Sequence, residues 1–220
     1  MSWIDRQLRA RGIADERVLA AMAAVPRELF VPTAEREHAY DDSALPLAHG
    51  QTVSQPFIVA LICQSLALEP GDRVLDVGTG SGYQAAVLAE LGAQVFSVER
   101  IPELAAGACE ALAAAGYADV DVRVGDGSLG LPDEAPFAGV AVAAAAREIP
   151  RALWRQLADG GRIVLPLHGR LGQRLCVYER NAAGDRLVAT TPARFVPLVV
   201  ETPARPGFPS PGARAKGRSQ

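Results

Sequence analysis

The chain lacks three features, each of which would have assigned it to a class of protein. Its 22 Lys and Arg against 25 Asp and Glu give a formal net charge of −3, so no basic surplus exists to neutralise nucleic-acid phosphates. No apolar run approaches the length of a membrane span. No Cys-x-x-Cys pair or Cys/His cluster indicates a zinc site. We therefore expect no nucleic acid, membrane or metal among its partners.

The cysteines and the N-terminus bear on the compartment. Cys63, Cys109 and Cys176 are far apart and each sits among apolar residues, which predicts buried thiols in a reducing environment. Charged side chains from Asp5 to Arg11 are not typical of a signal peptide. With 220 residues, 49% of them hydrophobic, the chain can form one large α/β domain. We expect a cytoplasmic protein and take a monomer as its working state.

One stretch, Val74 to Tyr83, organises the rest of the chain. Val74 to Val77 are mostly apolar and predict a buried strand, and helical periodicity begins at Tyr83. Between them lies Gly-Thr-Gly-Ser-Gly, where the backbone can approach a ligand because no Cβ intervenes. A strand, a glycine turn and a helix form the first half of a nucleotide-binding unit, with the helix N-terminus facing the ligand.

The residues around this turn narrow the choice of ligand. A second strand predicted over 93–98 ends at Glu99, and an acid about twenty residues after the turn can accept hydrogen bonds from both ribose hydroxyls. The spacing Gly-x-Gly-x-Gly differs from the dinucleotide fingerprint, and Asp76 precedes the first glycine by two residues. This arrangement resembles motif I of the class I methyltransferases that bind S-adenosylmethionine. A tight turn in some other α/β protein is the alternative, which Glu99 makes less favourable.

A long segment without a regular pattern, residues 39–56, precedes the turn. Loops of this length inside a compact domain are usually functional or disordered, and its apolar residues argue against disorder. It ends at Thr52, Ser54 and Pro56, before an apolar helix predicted over 57–68. Free N–H groups at a helix start favour an anion, so the two hydroxyls are candidates to bind a carboxylate. The alternative is that Ser54 only caps the helix.

Segments spread over nearly the whole chain resemble the signature of the protein-L-isoaspartate O-methyltransferases. They are 25–32 (Val-Pro-Arg-Glu-Leu-Phe-Val-Pro), 44–47, 50–56 (Gly-Gln-Thr-Val-Ser-Gln-Pro), 74–83, 97–100, 125–127 (Gly-Asp-Gly), 160–166 and 194–198. Segment 50–56 is the most specific to the family. The resemblance implies an α/β, Rossmann-like fold with a mostly parallel central sheet, helices on both faces and an N-terminal helical cap.

The resemblance also implies an activity and a set of site residues. The activity is methyl transfer from S-adenosylmethionine, leaving S-adenosylhomocysteine, to the free α-carboxylate of L-isoaspartyl residues in damaged proteins or peptides. The methyl ester closes readily to a succinimide, whose hydrolysis returns some normal aspartate. Ser54 is the catalytic candidate, and the substrate would also contact Thr52, Val196 and Leu198. The cofactor would contact Gln51, Thr52, Val53, Ser54, Asp76, Gly78, Thr79, Gly80, Gly82, Glu99, Arg100, Asp126 and Gly127.

Two of these carboxylates have more specific expected roles. Asp76 would hold the turn or meet the methionine amino group through water. Asp126 would reach the adenine amino group, with an ordinary turn residue as the alternative, while Gly127 would leave room for the ring.

The sequence departs from the family pattern at three positions near the substrate end of the pocket. Aspartate is common where Ala138 stands, threonine or glycine where Ala143 stands, and proline where Arg147 stands. Arg147 either meets an acidic substrate or is a solvated surface residue. Because of these departures, a carboxyl methyltransferase that acts on an aspartate of a specific peptide remains an alternative function. An NAD-dependent oxidoreductase and a non-catalytic module that binds isoaspartyl peptides are further alternatives.

Periodicity and turn residues predict the remaining elements. They are two helices over 3–24 with Asp15 as a cap, a helix over 102–115, strands over 120–124 and 137–146, a helix over 151–157, a strand over 162–167, a hairpin through 181–184 and a last strand over 194–200. We expect one domain over 1–202, made of a cap and substrate loop (1–56) and a core (57–202). The Pro- and Gly-rich tail, 203–220, should be disordered.

Overall fold

The computed structural model describes residues 2–170, 172–181 and 184–199. The α-helices are α1 (Trp3–Gln7), α2 (Glu16–Ala24), α3 (Pro56–Leu66), α4 (Tyr83–Glu90), α5 (Pro102–Ala114) and α6 (Arg151–Gln156). The strands are β1 (Leu45–Pro46), β2 (Thr52–Val53), β3 (Arg73–Val77), β4 (Gln94–Glu99), β5 (Asp121–Val124), β6 (Phe137–Val142), β7 (Leu157–Gly169), β8 (Gly172–Asn181) and β9 (Gly184–Pro192). Short 3₁₀ helices span Arg9–Arg11, Arg27–Leu29, Thr33–His38, Ala48–Gly50, Gly127–Leu129 and Pro132–Glu134.

The long strands form a seven-stranded sheet in the order β5-β4-β3-β6-β7-β8-β9, and β1 pairs only with β2. Neighbours from β5 to β7 are parallel, whereas β8 is antiparallel to both β7 and β9. The chain moves from β3 outward to β5 and then returns to β6 on the other side of β3. The carboxyl ends of β3 and β6 therefore mark the topological switch point, where open α/β sheets bind ligands.

Side chains of the central strands alternate between two hydrophobic clusters, one on each face of the sheet. Val74 and Ala141 belong to the cluster that contains the buried faces of α2, α3 and α4. Leu75 and Val140 belong to the cluster that contains Leu153 of α6. Strands buried on both faces need apolar residues at every position, which explains the nearly continuous apolar runs in the sequence. The predicted fold class, a mostly parallel sheet with helices on both faces, is confirmed.

The N-terminal cap follows from its local sequence. The carboxylate of Asp15 accepts hydrogen bonds from the amides of Arg17 at 2.9 Å and Val18 at 3.4 Å, so it caps α2 as predicted. Gly12, with φ 95°, ends the preceding turn in the left-handed region that favours glycine. Buried side chains of α2 join the same core cluster as the sheet. The cap is therefore continuous with the α/β core.

Several predicted elements differ from the structure. The helix predicted over 57–68 is one residue longer at its start and ends at Leu66. The strand predicted over 137–146 ends at Val142, after which residues 145 and 146 make only isolated bridges. The prediction of a last strand over 194–200 is wrong for the described residues, 194–199. There, Pro197 makes an isolated bridge to Ala145. A proline has no N–H to donate to a ladder.

Other predictions divide between confirmation and correction. The hairpin is confirmed by the β8–β9 pairing, although its turn residues 182 and 183 lie outside the described residues, as do Val200 and the predicted disordered tail. Cys63 and Cys176 are buried, but Cys109 is exposed, because α5 buries only one face and its outer face is also alanine-rich. Within the described ranges, no helix has the length and apolarity to cross a bilayer. In the same ranges, no group of three or more His, Cys, Asp or Glu side chains could hold a metal.

Candidate active site

A cavity of about 640 Å³ opens at the carboxyl ends of β3 and β4. Its volume lies within the range of roughly 300–1,000 Å³ that is common for small-molecule sites. Its walls come from the glycine turn, from residues 51–59 and from residues 191–199. The predicted site residues that line it are Gln51, Thr52, Val53, Ser54, Gly78, Thr79, Gly80, Glu99, Arg100, Gly127, Val196 and Leu198. The structure thus brings together residues that are far apart in the sequence.

The glycine turn needs its glycines because of its backbone. Gly78 and Gly80 have φ values of 92° and 55°, in the left-handed region that other residues rarely adopt. The amide of Gly78 donates to the carbonyl of Val98 at 2.8 Å. The amide of Gly80 donates to the carboxylate of Glu99 at 2.9 Å. These bonds fix the turn to the end of β4.

Glu99 presents a carboxylate whose orientation is set by the backbone. Its Oε2 accepts from Gly80, and its Oε1 accepts from the amide of Ile101 at 3.0 Å. A carboxylate offers about four lone-pair sites, so about two remain for other donors. Because Glu99 is only 5% exposed and lines the cavity, those sites are available to the hydroxyl groups of a bound ligand.

Gly127 lies where a larger side chain cannot fit. A Cβ built on it would lie 2.6 Å from Cγ1 of Val77. The neighbouring Asp126 is not among the residues that line the cavity, and its contact with the adenine stays a prediction. Its carboxylate accepts from the amide of Ser128 at 2.9 Å and caps a short 3₁₀ helix. This geometry matches the turn residue that was the alternative.

Asp76 does not line the cavity either, because it is buried behind the glycine turn. Its carboxylate accepts from Nε2 of Gln84 at 2.6 Å and from Oγ of Ser97 at 2.8 Å. The same Ser97 hydroxyl lies 2.6 Å from Oγ1 of Thr79, a member of the turn. Burial raises the pKa of Asp76 to about 6. Asp76 thus holds the turn, which is one of its two expected roles.

Gly82 was also expected at the cofactor, which stays a prediction, and in the structure it packs against α5. Its φ is 87°, and a Cβ built on it would lie 3.2 Å from Cγ of Leu112. Gly82 therefore serves the close approach between the start of α4 and its neighbouring helix, which is a packing role.

Ser54 does not cap the helix that follows it. Gln55 is the N-cap of α3, and no side chain accepts a hydrogen bond there. Over the described part of the chain, the Ser54 hydroxyl has no hydrogen bond, and Ser54 lines the cavity. Its carbonyl oxygen accepts from Nη2 of Arg27 at 2.8 Å. The backbone is thus held from behind while the hydroxyl is available to a ligand.

The opposite wall is an extended segment held by hydrogen bonds outside any ladder. The amide of Phe195 donates to Oε1 of Gln173 at 2.6 Å, and Nε2 of Gln173 donates back to the carbonyl of Phe195 at 3.2 Å. The amide of Ala145 donates to the carbonyl of Val196 at 2.7 Å, and the amide of Leu198 donates to Ala145 at 2.8 Å. These bonds place Val196 and Leu198 on the cavity wall without a strand.

The three departures from the family pattern lie in different surroundings. Ala143 lines the cavity next to Gly78. Ala138 lies away from it, against the hydrophobic core. Arg147 is exposed and lines a second cavity, which shares Leu198 with the first. Only Ala143 and Arg147 are therefore placed to contact a ligand.

The chain matches the family described as Protein-L-isoaspartate(D-aspartate) O-methyltransferase (PCMT) over residues 3–202. It belongs to this family. The Protein-L-isoaspartate O-methyltransferase 2 of Anaeromyxobacter sp. (strain Fw109-5) is 52% identical over 197 residues, which cover 89% of this chain and 81% of that protein. The Protein-L-isoaspartate O-methyltransferase of Gloeobacter violaceus is 50% identical over 201 residues, which cover 91% of this chain and 98% of that protein.

Solved structures agree with this membership. A protein-L-isoaspartate O-methyltransferase superposes with a TM-score of 0.74 at 27% identity, covering 86% of this chain and 62% of that one. A beta-aspartate methyltransferase (PCMT) from Plasmodium falciparum, in complex with S-adenosyl-L-homocysteine, superposes with a TM-score of 0.76 at 24% identity. The superposition covers 90% of this chain and 96% of that one. The second likeness bears on the fold alone.

Sequence reasoning missed several residues of the PCMT-family site. Ile101, Tyr83 and Arg11 also line the cavity, and Arg27 lies behind its serine segment. Arg27 and Tyr83 fall inside motifs that carried the resemblance, so the signal was present. A motif does not say which distant backbone a side chain contacts, however, and Arg27 and Ser54 are 27 residues apart.

Proposed function

We propose that the protein transfers a methyl group from S-adenosylmethionine to the free α-carboxylate of L-isoaspartyl residues in damaged proteins and peptides. Family membership over residues 3–202 and about 50% identity to curated relatives support the activity. The observation that carries the proposal is a single cavity that joins the glycine turn to the family's most specific segment, 50–56. A dinucleotide enzyme would not need that segment.

The cavity residues suit S-adenosylmethionine. The remaining acceptor sites of Glu99 would take the ribose hydroxyls, and Gly78 and Gly80 would let the backbone approach the ligand. Gly127 would leave space beside the adenine. The bound cofactor supplies a methyl group activated by the positive charge of a sulfonium. Further contacts are assigned to Gln51, Thr52, Val53, Thr79 and Arg100, all on the cavity wall.

The reaction asks the protein for alignment rather than for a strong base. The attacking group is already a carboxylate, so no proton has to be removed before attack. The Ser54 hydroxyl would donate a hydrogen bond to this carboxylate and fix its direction, with Thr52 beside it. Val196 and Leu198 would contact the peptide on the opposite wall. Holding the two reacting groups in line is a large source of rate enhancement by itself.

Labelled methyl transfer tests the proposal. A synthetic isoaspartyl peptide and its aspartyl twin are incubated with the protein and methyl-labelled S-adenosylmethionine. We expect label on the isoaspartyl peptide alone, released as methanol in base. Label on the aspartyl twin would instead support a carboxyl methyltransferase of other specificity. Tight binding of the isoaspartyl peptide without methanol release would indicate a non-catalytic module. In a separate thermal-shift measurement, stabilisation by NADH but not by S-adenosylhomocysteine would indicate an oxidoreductase.

We also propose that residues 1–202 act as one domain and as a monomer in the cytoplasm. The three cysteines are free thiols, as is usual in a reducing compartment. Light scattering on the purified protein tests the monomer, and a dimer mass would contradict it.

A further inference from the structure

Arg27 is a charged side chain with no exposed surface, located between the N-terminal cap and the cavity. Its guanidinium carbon lies 4.5 Å from the centre of the Tyr83 ring, and Tyr83 lines the cavity at the start of α4. Across the described ranges, no carboxylate forms an ion pair with it. Burying an unpaired guanidinium is costly, so its other interactions must offset that cost.

Besides the Tyr83 ring, the guanidinium has two hydrogen bonds to the backbone, while its Nη1 is buried without a hydrogen-bond partner among the described residues. Nε of Arg27 donates to the carbonyl of Ala39 at 2.6 Å, and Nη2 donates to the carbonyl of Ser54 at 2.8 Å. Ala39 and Ser54 stand at the two ends of the segment 40–53, which we call the substrate loop. The donors of a guanidinium form a rigid, planar fork. One side chain therefore sets the separation and the relative orientation of both ends of the loop.

Other side chains contact the start of the substrate loop. Nε2 of Gln7 donates to the carbonyl of Tyr40 at 2.8 Å, and Nε2 of Gln55 donates to the carbonyl of Asp42 at 2.8 Å. The inner part of the loop is closed by the two-residue strands β1 and β2 and by the hydrogen bond from the Leu47 amide to the Gln51 carbonyl, at 2.8 Å. At its tip, His49 has φ 58°, an unusual value for a residue other than glycine. The side chain of Leu47 reaches toward Gly80, 3.9 Å from the position that a Cβ would take. The loop thus crosses above the glycine turn, and Arg27 anchors it there.

We propose that Arg27 is a positioning residue for methyl transfer, which holds the Ser54 backbone so that its hydroxyl stays directed into the cavity. This inference rests on the function proposed for Ser54. Lysine keeps the charge but is a point donor on a flexible stem, so it cannot hold both carbonyls in one geometry. Glutamine loses the charge and the fork. A displacement of about 1 Å in a reacting group can cost about 10²-fold in rate.

The test compares Arg27→Lys and Arg27→Gln with Arg36→Gln, an exposed arginine in the same region. We expect kcat/KM for an isoaspartyl peptide to fall about tenfold or more in Arg27→Lys and further in Arg27→Gln. The Kd for S-adenosylhomocysteine should change much less than kcat/KM, because the contacts assigned to the glycine turn and to Glu99 do not involve Arg27. Arg36→Gln should change neither quantity. If Arg27→Gln does not fold, the lysine variant decides.

Hydrogen exchange gives a readout that needs no activity. In Arg27→Lys, amides of residues 40–54 should exchange faster than in the parent, while those of 74–82 stay the same. Unchanged exchange with unchanged kcat/KM would overturn the proposal, and so would a loss of cofactor affinity as large as the loss of activity. If the parent protein does not methylate isoaspartyl peptide, the proposed function is wrong. In that case the hydrogen-exchange result alone tests whether Arg27 anchors the loop.

Discussion

The buried carboxylate of Asp76 should make the stability of this fold depend on pH in an unusual direction. Most paired carboxylates stabilise a protein when ionised, whereas burial raises the pKa of Asp76 from 3.8 to about 6. The hydrogen bonds from Gln84 and Ser97 oppose this shift but do not cancel it. The native state therefore holds this proton at pH values where the unfolded chain has lost it.

The sign and size of the effect follow from that difference in pKa. The stability due to proton uptake is complete below about pH 4 and is lost as pH rises through about 6. A difference of about two pKa units corresponds to about 3 kcal/mol of unfolding free energy, with a slope of at most about 1.4 kcal/mol per pH unit inside this window. Carboxylates elsewhere in the chain titrate too, so the effect has to be isolated by substitution.

The variant Asp76→Asn isolates the contribution of this carboxylate to the unfolding free energy, because asparagine has a similar shape and does not titrate. Urea unfolding of both proteins from pH 4 to pH 7 gives the difference in unfolding free energy at each pH. We expect the parent to lose about 2 kcal/mol relative to Asp76→Asn over this range, because part of the full difference lies below pH 4. Asp119→Asn, at an exposed acid, controls for the loss of one formal charge. Parallel curves for the parent and Asp76→Asn would refute the reasoning.

Three further substitutions test the cavity itself. Ser54→Ala should lower kcat/KM for isoaspartyl peptide by about 10- to 100-fold, the value of a hydrogen bond to a charged group, with the S-adenosylhomocysteine Kd from calorimetry unchanged. Glu99→Gln should weaken S-adenosylhomocysteine about tenfold or more, because one amide oxygen replaces two oxygens that accept from backbone amides; equal calorimetric affinity would contradict this. Gly127→Ala should lower the unfolding free energy by about 1–3 kcal/mol through the overlap with Val77, and Val77→Ala in the same chain should recover part of that loss. An undiminished melting temperature in Gly127→Ala would show that the backbone relaxes there.

The sequence predicted best those features whose cause is local. The buried strands leave nearly continuous apolar runs, and the left-handed turn requires Gly78 and Gly80 wherever it occurs. The cap at Asp15 depends on amides only two and three residues away. Because each of these causes lies within a few positions of its effect, a single sequence contains the information.

Features set by distant contacts could not be predicted in the same way. Nothing near Asp126 tells whether its carboxylate caps a turn or faces a ligand, because both outcomes need the same residue at the end of a strand. The segment 194–199 has the apolar residues of a strand, yet Gln173 and Ala145 hold it outside the ladder. The hydrogen bonds from Arg27 to the carbonyls of Ala39 and Ser54 depend on the packing of three parts of the fold. Such contacts emerge only when the tertiary structure is formed.

A crystal structure of the protein with S-adenosylhomocysteine and an isoaspartyl peptide is the most direct measurement of the central claim, that one cavity aligns a methyl donor with a carboxylate held by Ser54. We expect the ribose hydroxyls within hydrogen-bond distance of Glu99 and the free α-carboxylate of the isoaspartyl residue within hydrogen-bond distance of the Ser54 hydroxyl. A complex in which this carboxylate lies away from Ser54, or in which the peptide binds outside the cavity, would contradict it.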